Sequence, residues 1–233
     1  MKKKRPFVMI NMAMSADGKI APAHRRFVAF GSRHDHANLL TLRATADAVM
    51  CGARTVDSAP VTLDAGGAIY ERRRKRAGLA KQNLRIVVSG TGSVDPRARI
   101  FQHRVSPIIL LTSSQAPKLR LAKLERLTDS MKVCGKESVA LGQALGWLQR
   151  NWAVNRLLCE GGGELNFELL RLGLVDELHL TFCPRIIGGR NAATIFDGTG
   201  FAQLTKLKKL KLIRQRRIGD ELFTTWLVRP GSR

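Results

Sequence analysis

The chain has 233 residues, of which 44% are hydrophobic and 25% charged, values typical of a globular protein that can build a full core. No apolar run reaches the ~18–20 residues of a membrane-spanning helix. Forty Lys and Arg against eighteen Asp and Glu give a net charge of +22, so the surface attracts polyanions and phosphorylated ligands. The cysteines have no metal-binding or redox spacing and are interpreted as buried apolar side chains, and no metal site is predicted: Cys51, Cys134, Cys159 and Cys183.

The N-terminus combines a basic stretch with an apolar one, as a signal peptide does. Pro6 and Asn11 interrupt the apolar part, however, and no small-residue cleavage site follows in the usual place. We interpret residues 1–6 as a basic tail and Phe7–Met14 as the first buried strand. Without export, the protein is expected to be cytoplasmic and not bound to a membrane.

Segments rich in β-branched and apolar residues alternate with segments of helical periodicity. The predicted strands are Phe7–Met14, Ala48–Cys51, Leu84–Ser89, Ser106–Leu111, Met131–Cys134, Arg156–Cys159, Glu177–Cys183, Leu207–Arg216 and Leu222–Val228. The predicted helices are His34–Thr45, Ala116–Leu127, Val139–Asn151 and Glu164–Leu172. This alternation predicts an α/β fold with a mostly parallel central sheet, helices on both faces and an antiparallel C-terminal edge.

Residues 64–83 contain a glycine pair and six consecutive charged residues, Glu71–Arg76, and are interpreted as a surface excursion. No repeat and no long linker divides the chain. Residues 1–233 are therefore predicted to form a single domain.

Three glycines, Gly161, Gly162 and Gly163, stand between a predicted strand and a predicted helix in the sequence LLCEGGGELNFELL. Glycine permits close approach of a ligand to the backbone, and a helix N-terminus offers free N–H groups to a phosphate. The spacing is not the G-x-G-x-x-G dinucleotide fingerprint. The pattern alone leaves open a phosphate site and a plain strand-to-helix turn.

A second glycine follows a strand in VMCGARTVDSAP, where Gly52 precedes Arg54, Thr55 and Ser58. A guanidinium group, hydroxyl groups and exposed backbone N–H groups suit a phosphate, although a capped loop would have the same residues. Ligands of such sheets bind at the carboxyl ends of the strands. Two phosphate-binding strand ends are therefore expected in one sheet.

The first strand carries polar residues in INMAMSADGKIAP. Asn11, Ala13 and Ser15 share one face, because side chains alternate along a strand. An Asn inside an apolar strand needs a partner, which can be structural or a substrate. Asp17 either closes the turn before Gly18 or faces a ligand.

These motifs, in this order, resemble the reductase domain of riboflavin biosynthesis, a family of dihydrofolate-reductase-like fold. The resemblance runs from about Phe7 to Val228 and rests on NMAMSADGKIA, LRATADAVMCGARTV, LLCEGGGELNFELLRLGLVDELHLTFCPRIIGG and GDELFTTWLV. No deaminase domain precedes these motifs, so the chain resembles the stand-alone reductase. Asn11 matches the archaeal and fungal type, since the bacterial bifunctional type usually has Lys there.

The resemblance implies an NADPH-dependent oxidoreductase that reduces a ribosylamino-pyrimidine 5′-phosphate to its ribitylamino form, and it implies a homodimer. Cofactor contacts are implied for Gly52, Arg54, Thr55, Ser89, Gly161, Gly162, Gly163, Glu164 and Leu165. Substrate contacts are implied for Asn11 and Ser15, and Arg43 is the candidate for the substrate phosphate. Asp17 and Glu160 are the candidate general acids.

One stretch departs from the family. SAPVTL places Ala59 where the family has a substrate-contacting Asp, and Asp57 lies two residues earlier. Arg54 stands where the family often has Gly, which makes GARTVDS similar to an element of true dihydrofolate reductases. Reduction of dihydrofolate or another pterin or pyrimidine, and a non-catalytic basic binding protein on the same fold, therefore remain alternatives.

Basic residues cluster in three runs, Lys2–Arg5, Arg72–Arg76 and Lys206–Arg217. They are interpreted as solvated surface, the last as an exposed strand edge, and Arg72–Arg76 is also a candidate for the 2′-phosphate of NADP. Aromatic residues make up only 6% of the chain and none interleaves with these runs. Specific nucleic-acid binding is therefore disfavoured.

Overall fold

Nine strands and seven α-helices form within residues 5–24 and 29–229, the residues that the computed structural model describes. The strands are β1 Phe7–Ser15, β2 Ala48–Gly52, β3 Leu84–Val88, β4 Ile108–Thr112, β5 Ser130–Val133, β6 Arg156–Cys159, β7 Glu177–Cys183, β8 Leu210–Ile218 and β9 Glu221–Val228. The helices are α1 Arg33–Arg43, α2 Ala53–Ser58, α3 Ala68–Arg76, α4 Arg99–Gln102, α5 Lys118–Glu125, α6 Leu141–Trp152 and α7 Gly163–Arg171.

The chain divides into two compact units. One contains residues up to Phe7 together with Leu40–Leu158, and the other contains Val8–Leu39 and the residues from Cys159 onward. The boundaries fall inside β1, α1 and β6, so the single domain remains a prediction.

The first unit is a parallel sheet in the order β5-β4-β3-β2-β6. Its central strands are fully buried runs of apolar residues, such as Ile108–Leu111 in β4, as expected of a sheet covered on both faces. Because these strands are parallel, their carboxyl ends share one edge. Gly52 ends β2 at this edge, and Ser89 follows β3.

The second unit contains strands in the order β1-β7-β9-β8, with β1 and β7 parallel and β9 antiparallel to both of its neighbours. Gly219 and Asp220 form the turn between β8 and β9. β8 is the edge strand, and its side chains are exposed except for the half-buried Ile218. The predicted α/β class, the mostly parallel sheet and the antiparallel C-terminal edge are confirmed.

The interpretation of residues 64–83 as a solvated excursion is wrong in part, because α3 forms there and Arg74 is only 1% exposed. The Arg74 guanidinium donates to the backbone oxygens of Ala80 and Arg43, each at 2.8 Å, and to that of Ala46. It therefore stabilises the chain before β2 and cannot contact a 2′-phosphate on the surface.

A second basic residue, Arg85 in β3, is fully buried. Its guanidinium donates to the backbone oxygens of Ile100, at 3.1 Å, and of His103 and Ser106. Burial lowers its pKa to about 10, so it stays charged at neutral pH. Arg74 and Arg85 thus hold loops of the first unit.

The four cysteines are buried, as interpreted from the sequence, and none of them forms a disulfide bond in the described part of the chain. Within residues 5–24 and 29–229 there is no group of His, Cys, Asp or Glu side chains that could hold a metal ion. No helix in the described part of the chain is long and apolar enough to cross a membrane. Lys2–Lys4 of the first basic run lie outside the described residues.

Candidate functional site

The glycine turn lies in the second unit, directly after β6. Gly161 has a φ of +88°, a backbone conformation that glycine adopts readily, and its peptide bond to Gly162 is cis. A Cβ at Gly161 would stand 3.0 Å from the Met12 Sδ atom of β1. The turn therefore lies against the first strand, with no room for a side chain.

α7 begins at Gly163 with Gly162 as its N-cap residue and Glu164 in its first turn. N–H groups in a first turn have no partner within the helix, and the positive end of the helix dipole lies there. Leu165 is half-buried and Glu164 is exposed. The N-terminus of α7 therefore has the N–H donors that a phosphate or pyrophosphate needs.

A buried polar network fixes the turn from the other side. A Cβ at Gly163 would overlap the backbone oxygen of Thr194 and stand 2.9 Å from the backbone nitrogen of Asp197. The buried Asn166 amide donates to the Ile195 oxygen at 3.0 Å, and the Thr194 hydroxyl donates to Asp197 at 2.7 Å. Sequence reasoning missed this network, although Asn166 among the buried residues of α7 was a signal for it.

The polar face of β1 is confirmed by its register with β7, which pairs Asn11 with His179, Ala13 with Thr181 and Ser15 with Cys183. Asn11 is 6% exposed, and its buried Oδ1 atom has no hydrogen-bond partner among the described residues. Buried polar groups without partners are rare and require an explanation. A ligand on this face would provide one.

Asp17 anchors the turn after β1. Its carboxylate accepts hydrogen bonds from the Ser15 hydroxyl at 2.6 Å and from the backbone N–H groups of Ile187 and Gly188 at 3.1 and 2.8 Å. These bonds, the one from Ser15 above all, lower its pKa to about 2. Asp17 is therefore ionised at neutral pH, which favours the structural interpretation over a proton donor.

Sequence reasoning also missed an acidic pair on the same face. Asp35 of α1 accepts a hydrogen bond from the Thr181 hydroxyl, and burial together with the nearby charge of Glu221 raises its pKa. Glu221 accepts from the Ser32 backbone N–H and hydroxyl at 2.8 and 2.6 Å. Neighbouring Cys183 has a pKa raised to about 12 by its burial and by both carboxylates.

The first unit holds the remaining candidate cofactor residues. Gly52 is the N-cap residue of α2, Arg54 is exposed in that helix and Thr55 is half-buried. The register pairs Gly52 with Val88, so Ser89 lies one residue beyond it at the same edge. The Ser89 hydroxyl oxygen accepts from the Ser93 N–H at 3.0 Å. The structure thus brings Gly52 and Ser89 together at neighbouring strand ends.

Two other residues of this unit make structural contacts. Arg43 is buried at the end of α1 and donates to the Asp64 backbone oxygen at 2.8 Å. Asp57 accepts from the Asp95 backbone N–H at 2.8 Å. These bonds hold the segments after β2 and β3, and a phosphate contact by Arg43 stays a prediction.

Comparison with known proteins first defines the class. The fold is that of the dihydrofolate-reductase-like proteins: the enzyme from Enterococcus faecalis superposes with a TM-score of 0.51 at 9% identity, covering 96% of this chain and 97% of that one. A pyrimidine reductase-like protein from Corynebacterium diphtheriae superposes with a TM-score of 0.80 at 22% identity, covering 97% and 92% of the two chains.

The chain belongs to the RibD C-terminal domain family, whose model matches residues 6–224. The relative from Archaeoglobus fulgidus is 33% identical over 221 residues, covering 95% of this chain and 97% of its own, and is named 2,5-diamino-6-ribosylamino-4(3H)-pyrimidinone 5′-phosphate reductase. The resemblance noted from the motifs is thereby confirmed.

Proposed function

We propose that the protein is an NADPH-dependent reductase of 2,5-diamino-6-ribosylamino-4(3H)-pyrimidinone 5′-phosphate in riboflavin biosynthesis. The observation that carries this proposal is the similarity, over nearly the whole of both chains, to a relative named for that reaction. The glycine turn and the polar face of β1 support it, because they supply phosphate donors and an unsatisfied buried amide in the second unit.

The residues around the glycine turn fit a dinucleotide pyrophosphate. The first turn of α7, with Glu164 and Leu165, offers N–H donors. In the first unit, Gly52, Arg54 and Thr55 are proposed to contact the cofactor phosphates. Ser89 is proposed to contact the adenosine ribose and its 2′-phosphate.

When bound, NADPH supplies a hydride from nicotinamide C4 to C1′ of the ring-opened sugar imine. The protein must orient this carbon and deliver a proton to the imine nitrogen, so that a C–H and an N–H bond replace the double bond. Asn11 and Ser15 are proposed to orient the substrate. Glu160, which directly precedes the glycine turn, is proposed as the proton donor.

The cofactor assignment is tested by titrating the purified protein with NADPH and NADH at fixed moderate salt and following nicotinamide fluorescence. Salt must be fixed because a protein of net charge +22 holds any phosphate weakly. We expect saturable binding with NADPH preferred. Absence of binding to either nucleotide would leave the glycines as a turn only and refute the proposal.

The reaction is tested by mixing protein, NADPH and the diaminopyrimidinone substrate, and measuring both NADPH oxidation and the ribitylamino product by mass spectrometry. Glu160→Gln should lower kcat by about 10²–10⁴-fold with an unchanged NADPH Kd, if Glu160 donates the proton. Full activity of this variant would exclude Glu160 as the donor.

Reduction of dihydrofolate or another pterin is the second candidate. It is favoured by Ala59, which stands where the family has an acidic residue, while Asp57 is occupied by the Asp95 N–H. Dihydrofolate in the same NADPH assay distinguishes the two. NADPH binding without oxidation by any of these substrates would instead favour a non-catalytic binding protein.

The resemblance also leads us to propose a homodimer. The edge strand β8 exposes Leu210, Leu212 and Ile213 by 39–46%, and such apolar side chains on an open edge suit a protein contact. Light scattering at several protein concentrations should give twice the chain mass. A monomeric mass at all concentrations would refute the homodimer.

A further inference from the structure

A groove lies in the first unit between helix α6 and β5, the strand at one end of the order β5-β4-β3-β2-β6. Its volume is about 670 Å³, which is within the range of small-molecule sites. The strand side contributes Lys132 and Val133, and the helix contributes Gly142, Gly146, Trp147 and Arg150. None of the residues assigned to the cofactor or to the substrate lines this groove, so it is a second candidate site.

Both walls of the groove carry positive charge. Lys132 belongs to β5, and Arg150 belongs to the last turn of α6. No Asp or Glu of the described residues lines the groove. The two cations are therefore not balanced within it, and the groove attracts a negatively charged group. An arginine and a lysine are the side chains that most often bind a phosphate.

An aromatic ring lies beside these charges. Trp147 is half-buried in α6, and the Lys132 Nζ atom stands 5.8 Å from the centre of its ring. Val133 of the opposite wall is 45% exposed and adds apolar surface. Planar ring systems stack on such aromatic side chains, whereas a simple inorganic anion would gain nothing from them. The combination favours a ligand that has both a planar ring and an anionic group.

Two glycines of α6 leave the groove open. Gly142 and Gly146 lie one turn apart, although glycine disfavours a helix more than any residue except proline. A Cβ at Gly142 would meet no atom within 4 Å, so close packing does not require glycine at this position. A large side chain there would project into the groove instead. The space that Gly142 leaves therefore explains why a residue unfavourable to the helix stands there.

We propose that the groove between β5 and α6 binds a planar heteroaromatic compound that carries a phosphate group. The ring stacks on Trp147, while Lys132 and Arg150 bind the phosphate. This inference goes beyond the proposed reaction and does not depend on it, because the residues of the groove have no role in that reaction. The ligand should therefore bind equally well whether or not a dinucleotide occupies the cofactor site.

Flavin mononucleotide (FMN) is a suitable probe, because stacking on an indole ring quenches its fluorescence, and riboflavin differs from it only by lacking the phosphate. The protein is titrated into each probe at fixed moderate salt, with and without saturating NADP⁺. We expect saturable quenching of FMN with the same Kd in both titrations, and binding of riboflavin that is about tenfold weaker. Equal affinities for FMN and riboflavin, or loss of FMN binding when NADP⁺ is added, would refute the proposal.

Three variants locate the bound probe. Gly142→Leu fills the groove and should abolish FMN binding, while its NADPH affinity stays unchanged and its thermal midpoint shows that it is folded. Arg150→Met should weaken FMN binding about tenfold. Arg72→Met removes an exposed charge of α3 outside the groove and should leave FMN binding unchanged. Wild-type FMN affinity of Gly142→Leu, or equal effects of the two arginine substitutions, would show that FMN binds elsewhere on the basic surface and would overturn the inference.

Discussion

Replacement of Gly163 by Ala should destabilise the protein and weaken NADPH binding. The added Cβ would overlap the Thr194 backbone oxygen and crowd Asp197, and backbone atoms cannot rotate away as a flexible side chain can. Overpacking of this kind costs about 1–3 kcal/mol, and the better helix propensity of Ala recovers about 1 kcal/mol. The net loss of up to about 2 kcal/mol corresponds to a thermal midpoint lowered by up to roughly 8 °C.

Gly142 provides the matched control because it also lies near the start of a helix, α6, but an added Cβ would meet no atom within 4 Å. Gly142→Ala should therefore be neutral or stabilising by up to about 1 kcal/mol. Thermal unfolding and NADPH titration are measured on both variants. Equal thermal midpoints and equal NADPH affinities of the two variants would show that the close packing at Gly163 constrains neither stability nor NADPH binding.

Three other predictions concern buried or hydrogen-bonded charges. Arg74→Met removes three hydrogen bonds to backbone oxygens, two of which are buried, and should lower the urea unfolding free energy by about 3–5 kcal/mol. Arg72→Met, at an exposed position, should change it by less than about 0.5 kcal/mol. Asp17→Asn should lower stability above pH 4, because Asp17 has a lowered pKa in the folded state. The difference in stability from the wild type should vanish as the pH falls towards 2. A difference that does not depend on pH would contradict this. The pKa of Asp35 is raised in the folded protein, so its charged form opposes folding. Asp35→Asn should therefore be more stable than the wild type at neutral pH and should lose this advantage in acid. Equal stabilities of the two proteins across the pH range would contradict the burial of this charge.

Local patterns in the sequence predicted most of the fold. Strands such as β6, Arg156–Cys159, and β7, Glu177–Cys183, have the predicted bounds because alternating or continuous apolar runs between turn residues mark them clearly. The short helices α2 and α4 were missed because six and four residues are too few to show a period. α3 was missed because its charged sequence has no apolar stripe, and its single buried side chain is that of an arginine.

The sequence predicted those parts of the candidate site that depend on residues close together in the chain. The glycine turn and the shared face of Asn11 and Ser15 follow from spacing within a few residues. The packing of Thr194 against Gly163, and the bond from Thr181 to Asp35, join segments far apart in the chain. Unless the pairing of β1 with β7 is known, nothing in the sequence distinguishes Asp35 from an ordinary acidic residue in the first turn of a helix.

Asn11 Oδ1 and Asp35 Oδ1, two buried oxygens without a hydrogen-bond partner among the described residues, indicate why this face is polar. A core that served only stability would place an apolar side chain at Asn11 and at Asp35, since a buried polar group without a partner costs free energy. Natural sequences break such local rules mainly at functional sites, where the loss is recovered on binding. The predicted gain in stability of Asp35→Asn at neutral pH tests this directly, because the variant removes a carboxylate whose burial raises its pKa.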